Sequence, residues 1–261
     1  MKKRTGDKLD LGQFFLQDKT IIQKLVEAAL INKKEVVVEI GAGDGRITKL
    51  LAQKAGKVIA LEIDKKFLPQ LKKLPGKVEI RIKDALGFLQ NQSSRKIDKL
   101  VANLPSSLVE PVFKTLTQTD FVRAAFLVPQ KFTRKLKNQP VFQAYFEIEL
   151  IEKVSKKAFF PVPKTNWQMI AVEKIPEPLK SGKQELFLLR FIYEHPNAKL
   201  KNSLMEGMIK FYAAKGKKLT KNEARKIVKS FILSRKILEN LPDKDFPWQN
   251  LTKLKYEQES N

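Results

Sequence analysis

Cysteine is absent from the 261 residues, which excludes disulfides, thiolate metal sites and cysteine nucleophiles. Histidine occurs once, as His195 in Tyr-Glu-His-Pro. One histidine cannot build a zinc site, and its position at the end of a helical pattern suits a solvated helix C-terminus. No run approaches the ~20 consecutive apolar residues that cross a bilayer, and no apolar segment follows the basic N-terminus, so a soluble, cytoplasmic protein is expected. Acids are scarce too: 28 Asp+Glu face 51 Lys+Arg, for a formal charge of +23. That excess calls for a polyanionic partner, nucleic acid first, although a lysine-rich proteome would give the same sum.

What the chain does carry is organised around residues 36–49, VVVEIGAGDGRITK. Residues 36–40 read as a buried strand, Gly41, Gly43 and Gly45 as a turn, and the residues from about Asp44 as the start of a helix. An apolar, β-branched strand ending in glycines belongs to a parallel sheet covered on both faces, since it has no polar side to turn to water. A dinucleotide site reads G-x-G-x-x-G, whereas this turn reads G-x-G-x-G. Glu39 and Asp44 add acid beside it, and acid repels a pyrophosphate. A ligand without phosphate is therefore expected, and S-adenosylmethionine, a nucleoside with a cationic sulfonium and an amino-acid tail, meets that description. A plain strand-to-helix turn of any α/β protein could carry the same glycines.

Further strands are expected at 57–63, 77–82, 98–102, 124–128, 142–154 and 168–174, with helices at 20–30, 65–74, 108–116 and after Pro129. Glu62 closes the second strand 21 residues beyond Gly41, near the ~20-residue offset at which an acid meets a ribose. Asp84 follows the third strand in the same way. Ligands of open α/β sheets bind along the carboxyl ends of the strands, so Glu39, Glu62 and Asp84 are expected to converge on one crevice. The alternative for each acid is a helix cap. Asn103-Leu104-Pro105 ends the fourth strand, where proline stops it and leaves Asn103 at the sheet edge. Residues 11–18, LGQFFLQD, form an apolar cluster that reads as a staple on the first helix or as a lid over a cofactor, the staple being preferred. β-α repeats closing with antiparallel strands are the order of a Rossmann-like class I methyltransferase, an α/β fold.

Composition changes at Ile175-Pro176-Glu177-Pro178, the expected boundary between a cofactor-binding domain, 1–175, and a small basic α-helical domain, 176–261. Helices are expected there at 185–193, 203–214 and 222–233. Residues 199–236 hold twelve Lys/Arg against two acids, which makes either a solvated face or a surface that tracks phosphates. Residues 1–10 are charged and expected to be loose.

Several stretches together resemble the KsgA-type ribosomal RNA adenine dimethyltransferases. They are Gly12-Gln13-Phe14-Phe15-Leu16, Glu39-Ile40-Gly41-Ala42-Gly43-Asp44-Gly45, Glu62-Ile63-Asp64, Asp84-Ala85-Leu86, Asn103-Leu104-Pro105, Leu127-Val128-Pro129-Gln130-Lys131 and Phe159-Phe160-Pro161-Val162-Pro163. They follow the family's order, and Asn-Leu-Pro with Phe-x-Pro-x-Pro is the pair that points to adenine amines. The resemblance implies S-adenosylmethionine-dependent dimethylation of two adjacent adenosines near the 3′ end of small-subunit ribosomal RNA during ribosome biogenesis, by a monomer acting on the pre-ribosomal small subunit. It implies cofactor contacts at Gln13, Phe14, Leu16, Gly41, Gly43, Glu62 (ribose hydroxyls), Asp84 (adenine amine) and Asn103. It places catalysis on Asn103, Leu104 and Pro105, with Phe159 as the face that holds the target base. An adenine amine is a poor nucleophile because its lone pair is delocalised into the ring. Acceptors at Asn103 Oδ1 and at the Leu104 or Pro105 carbonyl can draw its N–H bonds aside, so positioning and electrostatics carry the rate.

The chain departs from the family at three places. Ser106 stands where an aromatic, usually tyrosine, is expected, Phe14 replaces an asparagine, and Trp167 replaces a small residue and could add a stacking face. A missing stacking partner costs roughly 1–3 kcal/mol and would slow methylation about tenfold to a hundredfold unless Phe159, Phe160 or Phe14 compensates. An active adenine methyltransferase is the favoured reading. The alternative is an RNA-binding ribosome assembly factor of the same fold with weakened catalysis. A large-subunit RNA methyltransferase fits the motif setting less well.

Overall fold

The computed structural model describes residues 13–91 and 97–230. Gly12, the expected loose segment 1–10 and the end of the helix expected at 222–233 lie outside them. The first strand is β1 (Phe15–Leu16), followed by α1 (Lys19–Ala28), β2 (Val36–Ile40), α2 (Arg46–Lys54) and β3 (Lys57–Glu62). A 3₁₀ turn over Lys65–Phe67 leads into α3 (Leu68–Leu71), then β4 (Val78–Ile82), α4 (Ala85–Gln90), β5 (Ile97–Asn103), α5 (Ser106–Leu116) and β6 (Phe121–Pro129). Next come α6 (Lys131–Asn138), α7 (Pro140–Tyr145), β7 (Phe146–Val154), β8 (Phe159–Phe160) and β9 (Trp167–Lys174). Four helices end the described chain: α8 (Pro178–Ser181), α9 (Gln184–Glu194), α10 (Leu200–Ala214) and α11 (Lys221–Ser230).

Seven strands form one sheet in the order β4-β3-β2-β5-β6-β9-β7. The first five run parallel, and β9 and β7 pair antiparallel. Val37, Val38 and Ile40 of β2 are buried, as a strand with helices on both faces requires. Strand order reverses where β2 lies between β3 and β5, and this switch point opens a crevice at the carboxyl ends. Chain order thus brings Gly41, Glu62, Asp84 and Asn103 to one edge.

Two local expectations are corrected. The helix after the glycine turn starts at Arg46 with Gly45 as its cap, not near Asp44, because Gly45 takes the left-handed conformation (φ 80°) that ends the turn. Residues 140–145 are helical, so the strand expected from 142 begins at Phe146; Pro140 opens α7 with the fixed φ that suits a first helical position.

Among the described residues, those up to 138 together with 146–174 form one compact unit, and 139–145 with those from 175 onward form a second. In the second, Arg190 is buried and donates to the Ala144 and Ile175 carbonyls, each at 2.9 Å, while its guanidinium lies 4.7 Å from the Tyr145 ring. His195 caps α9, with Nδ1 2.7 Å from the Phe191 carbonyl and its ring stacked on Phe191.

β1 and β8 form a two-stranded ribbon, Phe15 opposite Phe160 and Leu16 opposite Phe159. Side chains alternate across a strand and directly opposed residues share a face, so the ribbon has an inner and an outer side. Leu16 and Phe159, both 2% exposed, point inward, and Phe159 lies against Trp167 with ring centroids 4.7 Å apart. Phe160 is 67% exposed. The expectation that Phe159 offers a face to a base is therefore corrected: both its faces are taken up by the core. Trp167, 1% exposed, is largely a core ring, but it also borders the cavity at the carboxyl edge of the sheet.

Glu39 is the one acid inside β2. It is 1% exposed, and neither carboxylate oxygen has a hydrogen-bond partner. Burial raises its pKa from an ordinary 4.5 to about 8; buried Thr48 pulls the other way without a hydrogen bond of normal geometry, and the charges of Glu62 and Asp44 push it up further. Glu39 is thus neutral at pH 7, which is how an unpaired carboxyl tolerates that site.

Two outcomes follow from this packing. Phe159→Ala is expected to lower stability by about 3–5 kcal/mol in denaturant titrations, as for other buried rings; a loss under 1 kcal/mol would mean the ring is not part of the core. For Glu39, the folded state keeps a proton between pH 4.5 and about 8 that the unfolded chain releases, so this group makes stability fall as pH rises through that window. Glu39→Gln is expected to remove that slope, gaining on the order of 4 kcal/mol relative to wild type between pH 5 and pH 8.5. Parallel stability curves for the two proteins would show that Glu39 is ionised in the fold.

Candidate cofactor and catalytic site

A cavity of about 210 Å³ lies along the carboxyl edge of the sheet. Gln13, Phe14, Leu16, Gly41, Gly43, Glu62, Asp84 and Asn103 all line it, as does Pro105. Glu39 is not among the lining residues, so the three-acid crevice is corrected to Glu62 and Asp84, joined by Asp44 from the glycine turn. Leu104 and Phe159 do not line it either, and the Leu104 side chain is fully buried.

Glu62 sits at the end of β3, 3% exposed, and is held by main-chain donors among the described residues. Its Oε2 accepts from the Gly43 N–H at 2.7 Å, and its Oε1 accepts from the N–H groups of Ile63 and Asp64, both at 2.8 Å. These bonds keep the carboxylate fixed while leaving lone pairs for hydroxyl donors. They also require close backbone approach: Gly43 has φ 54°, and a Cβ there would meet the Phe15 ring at 3.4 Å. At Gly41 a Cβ would meet nothing within 4 Å, so its missing side chain leaves open space. Asp84 caps α4 through Oδ2 on the Gly87 N–H (2.8 Å), and no donor among the described residues reaches its Oδ1. The helix-cap alternative is thus real for Asp84, and it leaves one oxygen uncommitted.

Asn103 ends β5. Its Nδ2 donates to the Phe14 carbonyl at 2.7 Å, while its Oδ1 is buried without a partner. That carbonyl fixes which way round the amide sits, since the opposite orientation would set two acceptors against each other. The site therefore holds a bare acceptor in place, at the cost that an unsatisfied buried group carries. Of the two adjacent carbonyls, that of Pro105 already accepts from the Leu108 N–H at 2.9 Å. Leu104 donates its N–H to Leu127, and the next donor on β6 in a continued ladder would be Pro129, which has no N–H. Among the described residues, the Leu104 carbonyl is thus the one of the two with no main-chain donor.

The N-terminal segment is fastened from several sides. Arg46 Nη1 donates to the Leu16 carbonyl at 2.9 Å and its Nε to Asp44 at 2.9 Å; Lys66 reaches Gln13 at 3.4 Å. Phe14 meets Trp167 edge-on at 6.2 Å, and Trp167 Nε1 is buried without an acceptor. Sequence reasoning missed Arg46, which reads as an ordinary first-turn helix residue, and missed that Phe14 acts through its carbonyl. Ser106 lies exposed in the first turn of α5, and the neighbouring cavity-lining residues there are Ser107 and Leu108.

This donor and acceptor set fits S-adenosylmethionine. Of the charged residues lining the crevice, Asp44 is paired with Arg46, which leaves Glu62 and Asp84 against Lys83, a balance on the acidic side that suits a cation, and the open space at Gly41 admits a ligand against main chain. A bare buried acceptor at Asn103 awaits a donor.

A family model described as ribosomal RNA adenine dimethylase matches residues 5–246. A probable ribosomal RNA small subunit methyltransferase A from Methanococcus aeolicus is 34% identical over 211 residues, 75% of this chain and 77% of the relative. The ribosomal RNA small subunit methyltransferase A of Thermotoga maritima is 30% identical, over 76% of this chain and 74% of its own. Among solved structures, a dimethyladenosine transferase from Plasmodium falciparum superposes with a TM-score of 0.63, covering 90% of this chain and 95% of that one. The 23S rRNA methyltransferase ErmE gives 0.60, covering 92% and 98%; at 19% identity each, these two show the fold. On the match across nearly its whole length, the chain belongs to the ribosomal RNA adenine dimethylase family, class I methyltransferases that use S-adenosylmethionine.

Proposed function

We propose that this chain dimethylates the N6 amines of two adjacent adenosines near the 3′ end of small-subunit ribosomal RNA, working as a cytoplasmic monomer on the pre-ribosomal small subunit. The observation that carries the reading is the Asn103 amide, locked by Phe14 with its Oδ1 bare in the crevice. The relatives from Methanococcus aeolicus and Thermotoga maritima, both named for the small subunit, support the choice of RNA.

S-adenosylmethionine would supply an activated methyl on a cationic sulfur, so the protein needs no strong base or nucleophile. Glu62 would hold the ribose hydroxyls, the free oxygen of Asp84 the cofactor's adenine amine, and the backbone at Gly41 and Gly43 the amino-acid tail. Gln13, Phe14 and Leu16 would close over them. On the substrate side, Asn103 Oδ1 and the Leu104 carbonyl would accept the two amine N–H bonds and turn the nitrogen lone pair out of conjugation. Pro105 holds those two acceptors at the strand end. Rate then comes from orientation and fixed dipoles. A pure binding module has no use for a buried acceptor kept unpaired, so the assembly-factor alternative is not favoured.

The test is to incubate the protein with labelled S-adenosylmethionine and immature small ribosomal subunits and map methylated adenosines by mass spectrometry. Dimethyladenosine at two adjacent 3′-terminal positions is expected, falling at least a hundredfold in Asn103→Ala. Tight subunit binding without any methylation would overturn the reading. Glu62→Gln is expected instead to weaken S-adenosylmethionine binding about tenfold or more by calorimetry; equal affinities would remove Glu62 from the cofactor site.

A further inference from the structure

With Ser106 in place of an aromatic and Phe159 closed in the core, the target adenine has no partner ring at either expected position. The ribbon of β1 and β8 carries another. Phe160 is 67% exposed, on the outer face that it shares with Phe15. Phe15 lines the cavity and packs over Gly43 and against Phe67 (centroids 5.7 Å apart), so this face borders the cofactor crevice. The inner residue, Phe159, is anchored on Trp167 and holds the ribbon while Phe160 stands outward. Phe160 does not line the cavity itself. Within four residues of it lie Lys156, Lys157 and Lys164, all exposed, and Val162 beside it is 58% exposed. An exposed ring with exposed lysines close to it in sequence is a pattern by which proteins hold unpaired nucleotides: the ring takes a base and the lysines take phosphates.

We propose that Phe160 is a stacking platform for the RNA base next to the one held at Asn103, with Lys156, Lys157 and Lys164 meeting the flanking phosphates. This rests on the adenine-methylation reading and assigns a second nucleotide position to it. The cavity holds one base at the acceptor, and the ring outside it holds the neighbour, which fits a substrate whose two reacting adenosines are adjacent.

Two readouts test the platform. Methylation of immature small subunits gives KM and kcat, and small-subunit ribosomal RNA stem-loops with 2-aminopurine at each loop adenosine in turn report stacking by fluorescence quenching. Phe160→Ala is expected to raise KM about five- to hundredfold with kcat changed less, and to relieve quenching at the neighbouring position but not at the target. Cofactor affinity and thermal stability should stay at wild-type values, because the ring is exposed, and Phe160→Trp should restore both signals. Unchanged KM and quenching in Phe160→Ala would overturn the proposal, as would a defect traced to weaker S-adenosylmethionine binding. Should the wild type bind RNA and quench at the neighbouring position yet methylate no adenosine, the function reading fails and the platform stands.

Discussion

The 2.7 Å hydrogen bond from the Asn103 amide to the Phe14 carbonyl is the contact on which the site depends. It joins the end of β5 to a segment 89 residues earlier in the chain, and it settles two matters together. The amide can sit only one way round, so its oxygen is the atom left for a substrate. The N-terminal segment is also pinned across the mouth of the crevice, where Arg46 and the pairing of β1 with β8 hold it further. A lone acceptor in a buried place costs stability, and the rest of the fold carries that cost because positioning is the chemistry an adenine amine needs.

Charge is divided in space. In a chain of net charge +23 the cavity is lined by more acids than cations, Glu62 and Asp84 against Lys83 with Asp44 paired to Arg46, while Lys156, Lys157 and Lys164 stand outside it on the surface. Phosphate is drawn to the exterior and a cationic ligand to the interior. Glu39, directly beneath the turn, escapes the repulsion of its acidic neighbours by staying protonated.

Much of this was legible in the sequence. Glu62 could be placed because its offset from Gly41 is fixed by one strand-helix-strand crossover, and Asn103 because Pro105 stops a strand. The parity of Phe159 and Phe160 could be read as alternation, but which ring faces the core is set by the pairing of β8 with β1, a contact between distant segments that no local pattern announces. The Phe14 carbonyl was beyond reach for the same reason: a main-chain acceptor has no residue signature. Glu39 misled because an acid at a strand end looks like a ligand group until burial shows it lies under the turn. The apolar content of residues 142–145 suits strand or helix alike, and Pro140, which opens α7, decides for helix.

The most direct test of this account is nuclear magnetic resonance on the ligand-free protein labelled with ¹⁵N and ¹³C, looking for scalar coupling across the hydrogen bond from Asn103 Nδ2 to the Phe14 carbonyl carbon. A measurable coupling, with one Asn103 amide proton shifted downfield and slow to exchange, is expected if the acceptor is oriented before any substrate arrives. Two Asn103 amide protons that exchange at the solvent rate with no coupling to Phe14 would contradict it.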